Sequence, residues 1–441
     1  MKKSILALLI FVSVSVSAFA AGWDGVKEHT LDNGLKVLLL EEHKAPVATF
    51  QIWYRVGSRN EKPGNTGMSH LLEHMMFKGA KKYGPKSFSQ TVQKNGGNDN
   101  AFTSKDYTAY FETFSSDRIW LSLDIESDRM RGLLLDPKEF LSERDVVKEE
   151  RRLNHEDDPE SAMFEKMMEV SFLNHPYRIP TIGWMNDLTN MKVEDFKAYY
   201  DTYYIPNNAT IVVVGDFDSE KMLPEIKKYF GGIPKGPEPP KMTVVEPEQK
   251  GERRLNLKKE AELPVVVAGY HVPDLEDEDS YPLAVLELIL SGGKSSRLYK
   301  TLIYEKQIAL YAGGDYSMVS TDPNMFYLYA GAMPGKPIDE VEKALYAEID
   351  RFKVEPVAGK ELTKAKNQIE SSFIMGQDSN FNRAMLLGQY ESVASWKLLD
   401  RYVDGIRKVT AEDVMKVAKR YFTEDNRTVG VLVPVKEEVK K

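Results

Sequence analysis

The chain contains itself twice, and that repetition restricts its architecture more than any single motif. Glu194-Asp195-Phe196, followed by Tyr203-Tyr204-Ile205-Pro206-Asn207-Asn208-Ala209-Thr210-Ile211-Val212, runs parallel to Glu412-Asp413-Val414, followed by Tyr421-Phe422-Thr423-Glu424-Asp425-Asn426-Arg427-Thr428-Val429-Gly430, at a constant offset of 218 residues. Each copy reads as an amphipathic helix, a turn carrying Asn and a β-branched strand. The same offset pairs Pro46-Val47 with Pro264-Val265, each opening an apolar run. Agreement of this kind marks a duplicated domain, and 441 residues exceed what one core organises. A proline-rich stretch, Pro234 to Pro247, has no apolar period. Residues 234–251 are therefore read as a linker between domains of 21–233 and 252–441.

Within the first copy, Val26 to Glu42 carries a hairpin signal around Asp32-Asn33-Gly34, whose residues tolerate the positive φ such turns need. Val47–Val56, Asn100–Ser104 and Tyr107–Phe114 read as strands. Helices are expected near 66–79, 88–95, 117–131, 137–156 and 160–173. Strands and helices come in clumps, not in strict alternation. That predicts an α+β fold, each homologous domain a mostly antiparallel sheet with helices packed on one face.

Residues 1–20 read as an export signal: Lys2 and Lys3, an apolar stretch from Ser4 to Ser17, then the small-x-small site Ala18-Phe19-Ala20. The apolar part is shorter than the ~20 residues that span a bilayer, so cleavage and no membrane span are expected. The chain has no cysteine, which suits an oxidising exported compartment, periplasm first and full secretion second. The formal charge of −8 deepens once Lys2 and Lys3 are removed. That balance argues against nucleic-acid binding.

His70-Leu71-Leu72-Glu73-His74 carries the chemistry. Residues four apart on a helix share a face, so both imidazoles can reach one metal ion. Glu73 leans over the same face as a candidate proton acceptor. The order H-x-x-E-H is the inverted form of the zinc-protease motif. The duplication sharpens this reading, because the second copy places Ala284 and Leu288 where the first has histidines. A catalytic zinc usually takes three protein ligands and leaves a position open. The other histidines, His29, His43, His155, His175 and His271, show no helical pairing and read as ordinary surface or core residues. A carboxylate from the acid-rich helix 137–156 is the better third ligand. Glu143 and Glu150 share a face two turns apart, so one could bind metal while the other supports a ligating imidazole. The alternative is a solvated acidic face paired with Arg144, Lys148 and Arg151, and spacing does not choose Glu150 over Glu149.

The sequence resembles the pitrilysin/insulinase-type zinc peptidases, in the short two-domain form similar to the mitochondrial processing peptidase beta subunit. Gly57-Ser58-Arg59-Asn60-Glu61 with Gly67-Met68-Ser69-His70 through Gly79 is similar to the family's active-site block. Glu143-Arg144-Asp145-Val146-Val147-Lys148-Glu149-Glu150 is similar to its second block, with 75 residues between His74 and Glu150. Gly97 to Ser104 resembles its edge strand, and Pro176-Tyr177-Arg178 with Ile182-Gly183 is a further match. The resemblance implies one Zn²⁺ per chain on His70, His74 and Glu150, with Glu73 as general base and Glu143 as supporting carboxylate. It implies a peptide substrate lying along Asn100, Ala101 and Thr103, with Tyr311 contributed by the second domain, inside a chamber between two bowl-like halves. One departure stands out. The family's Arg seven residues before that Tyr falls on Tyr304 here. A dimer is therefore expected, a heterodimer with a metal-free homologue ahead of a homodimer. The competing functions are a non-catalytic binding or assembly subunit and a metallohydrolase acting on a non-peptide bond.

Overall fold

The structure, a computed structural model, describes residues 22–435; the leader expected over residues 1–20 lies outside them. Among the described residues, eleven strands form two sheets. The first contains β1 (Lys27–Thr30), β2 (Lys36–Glu41), β3 (Val47–Tyr54), β4 (Asn98–Thr103), β5 (Thr108–Ser115) and β6 (Ala209–Gly215), in the order β1-β2-β6-β3-β5-β4. The second contains β7 (Arg253–Glu260), β8 (Val265–Val272), β9 (Ala309–Asp315), β10 (Asn324–Ala332) and β11 (Arg427–Val435), in the order β7-β11-β8-β10-β9. Each sheet has one parallel pairing, β2 with β6 and β7 with β11, and is otherwise antiparallel. The repeat is structural. β3 and β8, β6 and β11, and the helices Val193–Tyr203 and Ala411–Tyr421 all stand at the offset seen in the sequence.

Alternation along the strands sends residues to opposite faces, and here both faces are buried. On the first sheet, Val37, Leu39, Phe50, Ile52, Ile211 and Val213 pack with Leu71 and Leu72 of the metal helix and with Leu123, Phe196 and Tyr200 of neighbouring helices. This is the helix-covered face that the sequence predicts. Leu38, Leu40, Trp53, Val212 and Val214 point the other way and join Ala384 and Leu387. Those two belong to the helix Asn380–Val393, which comes from the second half and packs on β3 and β6. Glu391 of that helix accepts from Lys36 Nζ at 2.5 Å and Arg55 Nη2 at 2.7 Å. The exchange is mutual. Helix Pro159–Ser171 leaves the first half and packs on β7, β8 and β11, seating Met163 and Met167 against Val265, Val267 and Leu432. Glycines make room for both crossings: a Cβ at Gly388 would meet the Trp53 ring at 2.0 Å, and one at Gly430 would meet Met163 Sδ at 2.6 Å.

Residues 234–250 form neither helix nor strand. They are nonetheless fastened to the first half. The Glu246 carboxylate accepts the amide N–H groups of Leu173, Asn174 and His175 at 2.7–2.9 Å, and Asn207 Oδ1 accepts that of Gly236 at 2.9 Å.

Candidate metal centre

The expected helix around the paired histidines is short, Met68–Met75, and its start is fixed from outside. Gly67 has φ +88°, and a Cβ there would meet the Ile182 carbonyl at 2.6 Å, so glycine is required. The buried Glu61 carboxylate accepts the amide N–H groups of Gly67 and Ser69 at 2.7 Å each. These are donors that a helix end leaves without partners. Burial pushes the Glu61 carboxyl up to about 8, against the pull of those N–H groups.

His70 and His74 then stand on one face with ring centroids 4.7 Å apart. Glu150 Oε2 lies 3.5 Å from His74 Nε2 and 4.0 Å from His70 Nε2. One donor atom from each of the three lies within 4.8 Å of the others. Glu150 sits on the helix Pro137–Arg151, which Asp136 caps through the N–H groups of Lys138 and Glu139. Glu149, left open by the spacing, turns away and takes Arg152 Nη1 at 2.7 Å. Arg144 and Lys148 approach Asp145, not Glu150.

The donor set fits zinc: two imidazole nitrogens and a carboxylate oxygen converge, the number and type of protein ligands a catalytic zinc takes. His74 Nδ1 lies 2.9 Å from Glu143 Oε1, which places the ring proton there and turns the Nε2 lone pair toward Glu150. Burial depresses the His70 ring to about 3, with His74 and His155 adding to the effect. It is therefore neutral, the form that ligates. His74 moves the other way: burial lowers it, but Glu143, Glu150 and Glu73 outweigh that and raise it. Glu143 also pairs with Lys78, a contact the sequence reading missed.

Glu73 faces the same space. Burial holds its carboxyl above the usual range, although Thr103 Oγ1 donates to Glu73 Oε2 at 2.6 Å and opposes the rise. Thr103, Asn100 and Ala101 all lie on β4, which among the described residues pairs only with β5 and forms the sheet's edge beside the metal helix. The Thr103 hydroxyl is thus occupied by Glu73, and Asn100 Oδ1 accepts the Ala101 N–H at 2.9 Å. What β4 offers a ligand is its free main-chain edge.

Tyr311 lies on β9, and its hydroxyl donates to Glu160 Oε1 at 2.7 Å in the wall of a cavity of about 490 Å³ between the halves. Tyr304 is 73% exposed and outside that lining. Arg297 is held by Glu361 through two bonds of 3.0 and 2.7 Å and does not replace the missing Arg. His155, read from the sequence as an ordinary histidine, is half-buried. It sits five residues past Glu150, in the π-helical turn Arg152–Glu156, and lines the cavity. Its position five residues past a ligand was the available signal.

A profile described as Insulinase (Peptidase family M16) matches residues 36–183, and one described as Peptidase M16 inactive domain matches residues 190–369. Zinc protease PqqE of Helicobacter pylori is 32% identical over 436 residues, 98% of this chain and 97% of that protein. The chain belongs to peptidase family M16. The crystal structure of a protease from Helicobacter pylori aligns with a TM-score of 0.90 at 32% identity, covering 93% of this chain and 99% of that one. The periplasmic protease PqqL from Escherichia coli shares the M16 fold at 18% identity, TM-score 0.77, over 93% of this chain and 48% of that one. The inactive-domain match includes Ala284 and Leu288, the second copy's replacements for the histidines.

Proposed function

We propose that this M16 chain is a zinc-dependent endopeptidase that hydrolyses peptides or unfolded protein segments in an exported compartment. The convergence of His70, His74 and Glu150 within 4.8 Å, beside Glu73, carries this reading. One zinc ion held by those three would acidify water and polarise a peptide carbonyl. The remaining work falls to the chain's own residues. Glu73, a buried carboxylate with a raised pKa, takes the proton of the attacking water and returns it to the leaving amine. Thr103 fixes which way that carboxylate points, because it donates from the strand along which substrate would lie. A peptide adding to β4 through main-chain hydrogen bonds brings its carbonyls past Glu73 in extended form, which favours unfolded segments. A non-catalytic subunit would have no use for the buried Glu73 carboxylate.

The leader-like residues 1–20 support a periplasmic location, with secretion second, and no helix among the described residues is long and apolar enough to cross a membrane. The exposed Tyr304 at the expected Arg position supports a dimer in which a metal-free homologue supplies the missing cation. The decisive experiment is Glu73→Gln. The variant should bind one zinc per chain by elemental analysis and cleave quenched peptides about 10²–10⁴-fold more slowly. Undiminished cleavage would remove Glu73 from the mechanism.

A further inference from the structure

The side chain of Glu150 is 35% exposed, and it stands one residue from the end of the helix Pro137–Arg151, where helices fray. The next residue anchors that end. Arg151 is 5% exposed and divides its guanidinium between two elements. Its Nη1 donates to Glu165 Oε2 at 3.0 Å and to the Gly183 carbonyl at 2.7 Å, and its Nη2 donates to Glu165 Oε1 at 2.8 Å. Glu156 Oε1 approaches Nε at 3.5 Å, and the Trp184 ring centroid lies 5.5 Å from Cζ. Two parallel bonds between a guanidinium and a carboxylate fix direction as well as distance. His155 Nδ1 stands 3.6 Å from Glu165 Oε2, too far for a hydrogen bond.

Each partner of Arg151 is itself tied to something the metal centre depends on. Glu165 belongs to the crossing helix Pro159–Ser171, two residues from Met163 and two from Met167. It therefore lies on the face opposite the methionines that seat this helix on the second sheet. Gly183 backs onto the turn that starts the metal helix. It has φ +82°, and a Cβ there would meet Gly67 Cα and N at 2.5 Å. The next amide, that of Trp184, donates to Thr66 Oγ1 at 2.9 Å. One buried side chain thus joins the end of the third-ligand helix, the start of the helix bearing His70 and His74, and the helix that rests on the second half. A buried ion pair is weak evidence for stability, since apolar groups of the same volume often serve as well. What apolar groups lack is the fixed direction of the guanidinium fork.

We propose that Arg151 is a positioning residue for the metal centre: it holds Glu150 where that carboxylate and the two imidazoles can meet one ion. Through Glu165 it makes that placement depend on how the crossing helix sits on the second sheet. The half that carries Ala284 and Leu288 in place of histidines then shapes the centre without supplying a ligand. The inference rests on the zinc reading of His70, His74 and Glu150, and is independent of the substrate.

The test uses the full chain and three readouts: zinc affinity by competition with a chelator, the visible spectrum of the cobalt(II)-loaded protein, and the melt of the metal-free protein. Arg151→Met should bind zinc about ten- to a hundredfold more weakly, and its cobalt spectrum should move toward that of Glu150→Ala. The double variant Arg151→Met with Glu165→Leu fills the same space with apolar groups. It should regain the melting temperature that the single variant loses, yet keep the weak zinc binding. Glu391→Gln loosens the other crossing, where Glu391 takes Lys36 and Arg55, and should leave zinc affinity within about twofold. Should Arg151→Met fail to fold, Arg151→Lys keeps the charge and loses the fork, and its cobalt spectrum should shift in the same direction. The proposal is overturned by an Arg151→Met protein that holds zinc within about threefold with an unchanged cobalt spectrum. It is overturned equally by a double variant that recovers zinc affinity together with stability, or by Glu391→Gln weakening zinc as much as Arg151→Met. Failure of the zinc reading looks different, because the unmodified chain would then take up neither zinc nor cobalt.

Discussion

Replacing Glu143 with Leu should weaken zinc binding while leaving the metal-free chain folded. Glu143 is buried, its Oε1 takes the Nδ1 proton of His74 at 2.9 Å, and its other oxygen pairs with Lys78. The contact with His74 fixes the tautomer that exposes Nε2, and it makes the ring a stronger donor to a cation. A hydrogen bond to a charged group contributes about 1.5–3 kcal/mol, and a tenfold change in affinity corresponds to about 1.4 kcal/mol. Zinc should therefore bind about ten- to a hundredfold more weakly. The partly exposed Lys78 can turn to water, so its lost pairing adds little. Glu143→Gln keeps a neutral acceptor for Nδ1–H and should lose less than about tenfold. The assay is competition for zinc against a chromogenic chelator at fixed pH, with a melt of the metal-free protein as the control for folding. If Glu143→Leu holds zinc within about threefold of the unmodified chain, the orienting role assigned to this carboxylate is wrong.

Three further outcomes follow from the same geometry. Glu150→Ala should lose more than about a hundredfold in zinc affinity, while Glu149→Ala, which breaks only a surface pair with Arg152, should stay within about twofold; equal losses would mean that the third ligand is misassigned. Gly388→Ala drives a methyl group into the Trp53 ring and should destabilise the chain by about 1–3 kcal/mol in urea unfolding; unchanged stability would deny that contact. Burial pushes Lys105 down to about 8 from 10.5, so between those values the unfolded chain holds a proton that the folded chain has released. Stability relative to Lys105→Met should therefore rise as the pH goes from 8 to 10.5, and a flat difference across that range would show that the ammonium is not held in a desolvated site.

Much of this was legible in the residues. The 218-residue offset fixed equivalent strands and helices to the residue, because paired strands tolerate no slip once a face is buried. The imidazole pair followed from helical spacing alone. The choice between Glu149 and Glu150 did not, because adjacent residues on a helix differ by a rotation that only the neighbouring helix resolves. The crossing helices were invisible for a related reason. The apolar stripe Met163, Met167, Met168 announces a buried face, but periodicity does not say whose sheet it covers. The nearest hint was the unbroken apolar run at β8, Val265-Val266-Val267-Ala268, which marks a strand covered on both sides. His155 was hidden by a π-helical turn, where the usual spacing no longer predicts direction.

The reciprocal loan of one helix from each half bears on how such a chain could have arisen. A lone ancestral copy would leave one sheet face bare, with a helix reaching outward and nothing beneath it. Two copies side by side repair both defects at once, by the intertwined exchange that dimers of identical subunits use. Joining the two genes end to end then preserves a two-fold handshake within a single polypeptide. The stretch from 234 to 250 has only to bridge the partners, because the exchanged helices already bind them together.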